Sequence, residues 1–141
     1  MASPLGPFAT KIAIVIRNDL EGWQKLNVAA FLASGVAAAS PESIGRPYRD
    51  ADDTRFTPMF GQPVMVFAAD SQRLARTLSR TISRDVVPAI FTMELFSTSH
   101  DEANRAAVAA RSRESLDLAG IAVRADRKVV DKIVDGLRLH Q

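Results

Sequence analysis

Residues 11–39 read KIAIVIRNDLEGWQKLNVAAFLASGVAAA, and they decide the fold. Ile12, Ala13, Ile14, Val15 and Ile16 form an unbroken apolar run rich in β-branched side chains. Continuous rather than alternating apolarity suits a central strand covered on both faces. The run ends at Arg17-Asn18-Asp19, where Asn18 or Asp19 turns the chain and caps the helix after it. Glu21 complements the dipole of a helix that starts there. From Trp23 to Ala39 only Gln24, Lys25, Asn27 and Ser34 interrupt the apolar residues. A helix apolar nearly all round is buried on most sides. Ser40-Pro41 stops it, because proline disfavours helix in the residue before it. A buried strand feeding a buried helix is the opening unit of an α/β domain, and in such domains ligands sit at the carboxyl ends of strands. Arg17, Asn18, Asp19, Lys25 and Asn27 are therefore the first candidates for function, with Asp19, Lys25 and Asn27 taken as ligand-binding.

Outward from this unit, the pattern repeats. Pro63–Ala69 is a second strand, and Asp70 caps a helix whose Leu74, Leu78 and Ile82 recur at four-residue spacing. Arg73, Arg76, Arg80 and Arg84 fall on its other side as a solvated face, without the interleaved aromatic residues of a base-stacking platform. Val86–Met93 is a third strand, with Pro88 tolerable only near its start. Ser99 and Glu102 have capping-box spacing for a helix over 101–113. Leu118–Val123 is a fourth strand, and Asp126 caps the last helix, with Val129, Val130, Ile133, Val134 and Leu137 on one face. Gly136 ends that helix, and Leu137-Arg138-Leu139 alternates like a short edge strand. Residues 41–62 are a long excursion punctuated by proline and glycine, with a short hairpin around Asp52-Asp53. Strand and helix alternating four times define a layered α/β domain.

Length and composition narrow the function. With 141 residues the chain is one domain, residues 11–141, preceded by a loose arm over 1–10. No cysteine is present, which removes a disulfide framework, a thiolate metal site and a thiol nucleophile, and is compatible with a cytoplasmic location. The two histidines, His100 and His140, are far apart, so no metal site and no cofactor are expected. Eighteen basic residues, fourteen of them arginine, against sixteen acidic ones give a net charge of only +2, too little to argue for nucleic acid. The Ala-rich apolar segment is too short and too interrupted to span a membrane. MASPLGPFAT lacks the basic start of a secretory signal. Phosphate-loop, dinucleotide, zincin and serine-hydrolase signatures are absent.

The remaining polar candidates leave the end of the third strand. Glu94 suits a general base there, Thr98 a group that binds ligand or water, and His100 a proton carrier. Together with Asn27 they define two readings. In one, Glu94, Thr98 and His100 are catalytic residues of a hydrolase-like cleft. In the other, the cluster is structural in a small binding module or homo-oligomer, with an apolar or edge-strand surface buried between subunits. The expectation favours binding of a small ligand over catalysis.

Four segments carry a family resemblance: KIAIVIRNDLEGWQKLNVAAF at 11–31, QPVMVFAADSQRLARTL at 62–78, IFTMELFST at 90–98 and VVDKIVDGLRLH at 129–140. In order and spacing they resemble an uncharacterised bacterial domain family of the type 2 peptidyl-tRNA hydrolase-like superfamily. Those hydrolases open with an Arg-x-Asp-Leu turn, matched by Arg17, Asp19 and Leu20, and an alanine pair, matched by Ala29-Ala30. The resemblance implies a three-layer α/β/α sandwich around a mixed sheet of about four strands, and as an alternative function hydrolysis of peptidyl-tRNA or a related ester, with tRNA as partner. The chain departs where the hydrolases act. Asn27 stands near the place of their lysine, Phe31 replaces a glutamine, and Ser34 stands near the place of a histidine. Glu94-Leu95-Phe96-Ser97-Thr98 replaces Asp-Ala-Gly-Arg-Thr. Without that lysine the resemblance implies the fold and a cleft rather than the reaction.

Overall fold

The computed structural model describes residues 8–141. Of the expected N-terminal arm, residues 1–7 lie outside the described residues, whereas Ala9 accepts a hydrogen bond from the Arg127 amide (3.0 Å) and Thr10 already opens the first strand. The elements are β1 (Thr10–Arg17), α1 (Gly22–Ala39), the two-residue strands β2 (Tyr48–Arg49) and β3 (Arg55–Phe56), β4 (Val64–Ala69), α2 (Ser71–Ser83), β5 (Ala89–Thr92), α3 (Asp101–Ala109), β6 (Leu118–Asp126), α4 (Arg127–Ile133) and β7 (Arg138–Leu139). A 3-10 turn, Met93–Ser97, directly succeeds β5.

The principal sheet is mixed and has five strands in the order β5-β6-β1-β4-β7, one more than the resemblance implies. Only β1 and β4 run parallel, joined by the crossover that contains α1; the other pairings are antiparallel. The extra strand is β7, where Leu139 pairs with Phe67 and Arg138 with Ala68. It is the short edge strand that the alternation at 137–139 suggests, formed here by two residues. β5 also begins later than Val86, because Pro88 cannot donate to the ladder.

β1 lies in the middle and its side chains alternate between two cores. Ile12, Ile14 and Ile16 point at α1, joined by Val28, Leu32, Val36 and Phe91. Ala13 and Val15 point the other way, towards Leu74 and Leu78 of α2 and Val130 and Ile133 of α4. α1 thus covers one face of the sheet, while α2 and α4 cover the other. Buried Thr77 and Thr81 lie on the sheet side of α2 beside the expected leucines, and each hydroxyl donates to the carbonyl four residues earlier, at Arg73 (2.7 Å) and Thr77 (2.8 Å). Satisfied in this way, threonine fits a core face that Leu74, Leu78 and Ile82 were expected to fill.

The excursion after α1 folds back on itself. The Ile44–Phe60 bridge and the close approach of Gly45 to Gly61 begin a hairpin that β2 and β3 continue. Its tip holds Asp53 at φ +63°, and the Asp50 carboxylate accepts from the amides of Asp52 (3.0 Å) and Thr54 (2.9 Å). Among the described residues no helix is long and apolar enough to cross a membrane.

α1 sits close to the sheet because β6 carries a glycine under it. A methyl group on Gly120 would lie 2.7 Å from Val28 Cγ1, 2.9 Å from Leu32 Cδ1 and 3.0 Å from the Val15 carbonyl oxygen. The backbone contact cannot be relieved by a rotamer change. Gly120→Ala should therefore destabilise the fold by about 1–3 kcal/mol, the usual cost of overpacking. Urea unfolding followed by circular dichroism tests this, and an unchanged midpoint would refute it.

Candidate functional site

The polar turn after β1 is tied down by its own charges. Arg17 donates from Nε to Asp19 Oδ1 (2.7 Å) and from Nη1 to Asp117 Oδ1 (2.8 Å). Its side chain is only 17% exposed. Asp117 precedes β6, so Arg17 clamps the end of β1 to the start of β6. The hydrogen bond from Arg17, opposed by some desolvation and aided by its charge, holds the Asp19 carboxyl below the usual carboxylate range. The same bond to Asp19, with that to Asp117, pushes the Arg17 guanidinium further up. Asp19 does not cap α1, as its place in the sequence suggests. The N-cap is Glu21, whose amide donates to Gln24 Oε1 (3.0 Å) and whose carboxylate accepts from the Trp23 indole (2.9 Å). Asp19 and Lys25 both stand apart from the cleft that the other expected residues line.

That cleft, of about 390 Å³, lies between α1 on one side and the end of β5, the 3-10 turn and α3 on the other. Its α1 wall is made by Trp23, Asn27 and Phe31, which stand at four-residue spacing on one helix face. Trp23 and Phe31 are 59% and 53% exposed. Each meets an aromatic ring beneath it edge-on, Trp23 with Phe96 (5.9 Å between centroids) and Phe31 with Phe91 (5.5 Å), and Phe91 touches Phe96 (5.0 Å). Between the two exposed rings lies the half-buried carboxamide of Asn27, which makes no side-chain hydrogen bond among the described residues. Beyond Phe31 the same helix face reaches Gly35, where a methyl group would come within 2.7 Å of Ala89 Cβ. A second, more apolar chamber of about 700 Å³ opens there, bounded by Gly35, Ile90, Leu95 and Val108.

The opposite wall carries Thr98, His100 and Asn104. His100, not Ser99, is the N-cap of α3: its Nδ1 accepts from the Ala103 amide (3.2 Å). An accepting Nδ1 in a neutral ring puts the proton on Nε2, which makes His100 a donor on its other side. The Thr98 hydroxyl meets the Leu95 carbonyl (3.0 Å) and the side-chain amide of Asn104. One proton cannot serve two acceptors. The Thr98 proton therefore goes either to the Leu95 carbonyl or to Asn104 Oδ1, and the contact ties the turn before α3 to the helix.

Asn27, Thr98 and His100, expected from the sequence as site residues, thus share one cleft. Glu94, expected beside them as a general base, does not line it. Its carboxylate oxygens are shielded from solvent and lie against Arg111, with Arg111 Nε 3.3 Å from Oε1. Arg111 comes just after α3, so the pair anchors that helix to the 3-10 turn rather than facing a substrate. Sequence reasoning missed the walls: Trp23, Phe91, Phe96 and Asn104 carried no site signal, and Phe31 entered only as the replacement of a hydrolase glutamine. The four-residue spacing of Trp23, Asn27, Phe31 and Gly35 could have found one of them. Among the described residues no cluster of three or more His, Asp or Glu could hold a metal.

Fold and cleft together define a small α/β domain with a mixed five-stranded sheet and one aromatic-walled groove. The chain belongs to the family described as "Protein of unknown function (DUF2000)", which matches residues 10–141. It is also similar to a solved structure of a protein of unknown function, Atu0240, from Agrobacterium tumefaciens strain C58. The two share 45% identity over 95% of this chain and 99% of that one, with a TM-score of 0.93. No curated protein matches the sequence.

The Arg17–Asp19 pair makes a prediction about pH. A carboxyl whose pKa is depressed by folding contributes stability that is present above its unfolded value and lost as pH falls through the folded one. Asp19 is exposed, so the contribution is small and screened. By NMR titration its carboxyl carbon should show a pKa below the ordinary value of roughly 3.9. In Arg17→Gln it should return towards that value, and equal pKa values in both proteins would show that the pair does not hold the carboxylate.

Proposed function

We propose that this domain binds a small organic molecule in the cleft between α1 and the segment from β5 to α3. The observation that carries the proposal is Asn27. A carboxamide has two donors and two acceptor positions, and burial without partners is costly. Here it is half-buried between two exposed aromatic rings on the same helix face, with Asn104 and His100 contributing further polar groups. An apolar concavity holding a few convergent polar groups is the usual form of a ligand site. Trp23 is the only tryptophan in the chain, so it reports on the cleft. A fragment library screened by NMR on labelled protein should give hits whose shifts cluster on Trp23, Asn27, Phe31 and His100. Those hits should quench Trp23 fluorescence and weaken about tenfold or more in Asn27→Leu, the loss of roughly 1.4 kcal/mol. Hits scattered over the surface, or none at all, would count against the site.

A second reading, hydrolysis of peptidyl-tRNA or a related ester on a peptidyl-tRNA hydrolase-like fold, draws support from the Arg17-Asn18-Asp19-Leu20 turn and from the free Nε2 of His100. Asn27 stands near the place of the hydrolase lysine, and Glu94 is held by Arg111 away from the cleft. These two departures favour binding without hydrolysis: a peptidyl-tRNA cleavage assay should show no turnover. Turnover that disappears in His100→Ala would overturn this and establish the second reading.

A further inference from the structure

We infer that the occupant of the cleft is an uncharged nucleobase or nucleoside, recognised by its hydrogen-bonding edge through Asn27 and by a ring face against one of the flanking aromatic side chains, Trp23 or Phe31. The inference rests on the ligand-binding reading and gives it a chemical class.

Three observations lead there. The first is the order of side chains on α1. Trp23 and Phe31 stand one turn either side of Asn27, about 6 Å along the axis in each direction. Both rings are more than half exposed, so a planar ring paired to the Asn27 amide has an aromatic surface to lie against on one side or the other. Aromatic faces of this kind bind bases without regard to sequence, since every base has a π-face. The second is the pairing chemistry of the amide. It offers a donor and an acceptor side by side, the complement of a ring edge with adjacent acceptor and donor, as nucleobases present. Asn104 on α3 adds a second amide to the cleft wall, held in place by its contact with Thr98. The third is charge. Neither lysine nor arginine lines this cleft, and its one carboxylate, Asp101, is engaged by Arg105 (2.7 Å). Arg105, at the neighbouring chamber, is held by that bond. No lysine or arginine here compensates a phosphate, whereas phosphate sites are built chiefly from such basic side chains. A neutral planar molecule with a polar edge fits all three; a fatty acid or a nucleotide phosphate fits fewer.

The test uses the full chain and four probes: a panel of the common nucleosides, the matching nucleoside monophosphates, benzyl alcohol as an aromatic ring without the edge, and decanoate as an apolar chain. At least one nucleoside should shift the Asn27 and Asn104 side-chain amide resonances and quench Trp23, and its monophosphate should bind no more than about twofold better. Asn27→Leu should weaken the nucleoside about tenfold or more, by loss of the paired edge. Asn27→Asp, of the same size but without the donor, should do the same, with the amide spectrum confirming that both variants are folded. Decanoate or benzyl alcohol occupying the cleft while no nucleoside does so would overturn the chemical class and leave the ligand site standing. Nucleoside binding indifferent to both Asn27 variants would overturn recognition by the edge. Silence from every probe, together with silence from the fragment library, would remove the ligand site as well.

Discussion

The seating of α1 on the sheet is the contact on which the rest depends. Two glycines permit it, Gly120 beneath Val28 and Leu32, and Gly35 above Ala89. With the helix that close, Val28, Leu32 and Val36 become the buried line, four residues apart. Residues one position earlier along a helix are rotated by about 100°, so Trp23, Asn27, Phe31 and Gly35 form a second line beside the first. The first line closes the core over Ile12, Ile14 and Ile16. The second cannot reach the core and emerges at its margin, above β5 and the 3-10 turn. Cleft and core are thus two faces of one packing decision, and a change that lifts the helix off Gly120 would disturb both.

Much of the fold was legible because its signals are local. The continuous run at 12–16 marks a doubly covered central strand, and β1 is that strand, with neighbours on both sides and buried side chains towards both. Pro41 and Asp70 punctuate where they should. What could not be read is set by residues far apart in the chain. Asp117, one hundred positions away, turns Arg17 from a candidate ligand contact into a clamp between strands. Arg111 does the same to Glu94. A sequence shows that a charge is present at a strand end and not whether a partner is waiting for it. Caps fail for a related reason: Ser, Asp and Asn lead the N-cap ranking, and here Glu21 and His100 take the positions because their neighbours, Gln24 and the Ala103 amide, complete the geometry.

The outer surface of α1 departs furthest from expectation. Trp23, Leu26 and Phe31 remain more than half exposed there. Apolarity all round a helix predicts burial all round, yet the sheet covers one face and α3 stands off from the helix across the groove. α3 buries no residue of its own and is held mainly through the 3-10 turn, by the Arg111–Glu94 pair and the Thr98–Asn104 contact. A helix seated that lightly leaves the aromatic side of α1 open instead of sealing it. Single exposed apolar side chains are ordinary, but two large aromatic rings flanking an unpartnered amide along one groove are not explained by packing. The polar residue within an apolar stretch therefore carried more information than the stretch itself. Asn27 interrupts a helix that otherwise has every reason to be covered, at the turn where the cover is missing.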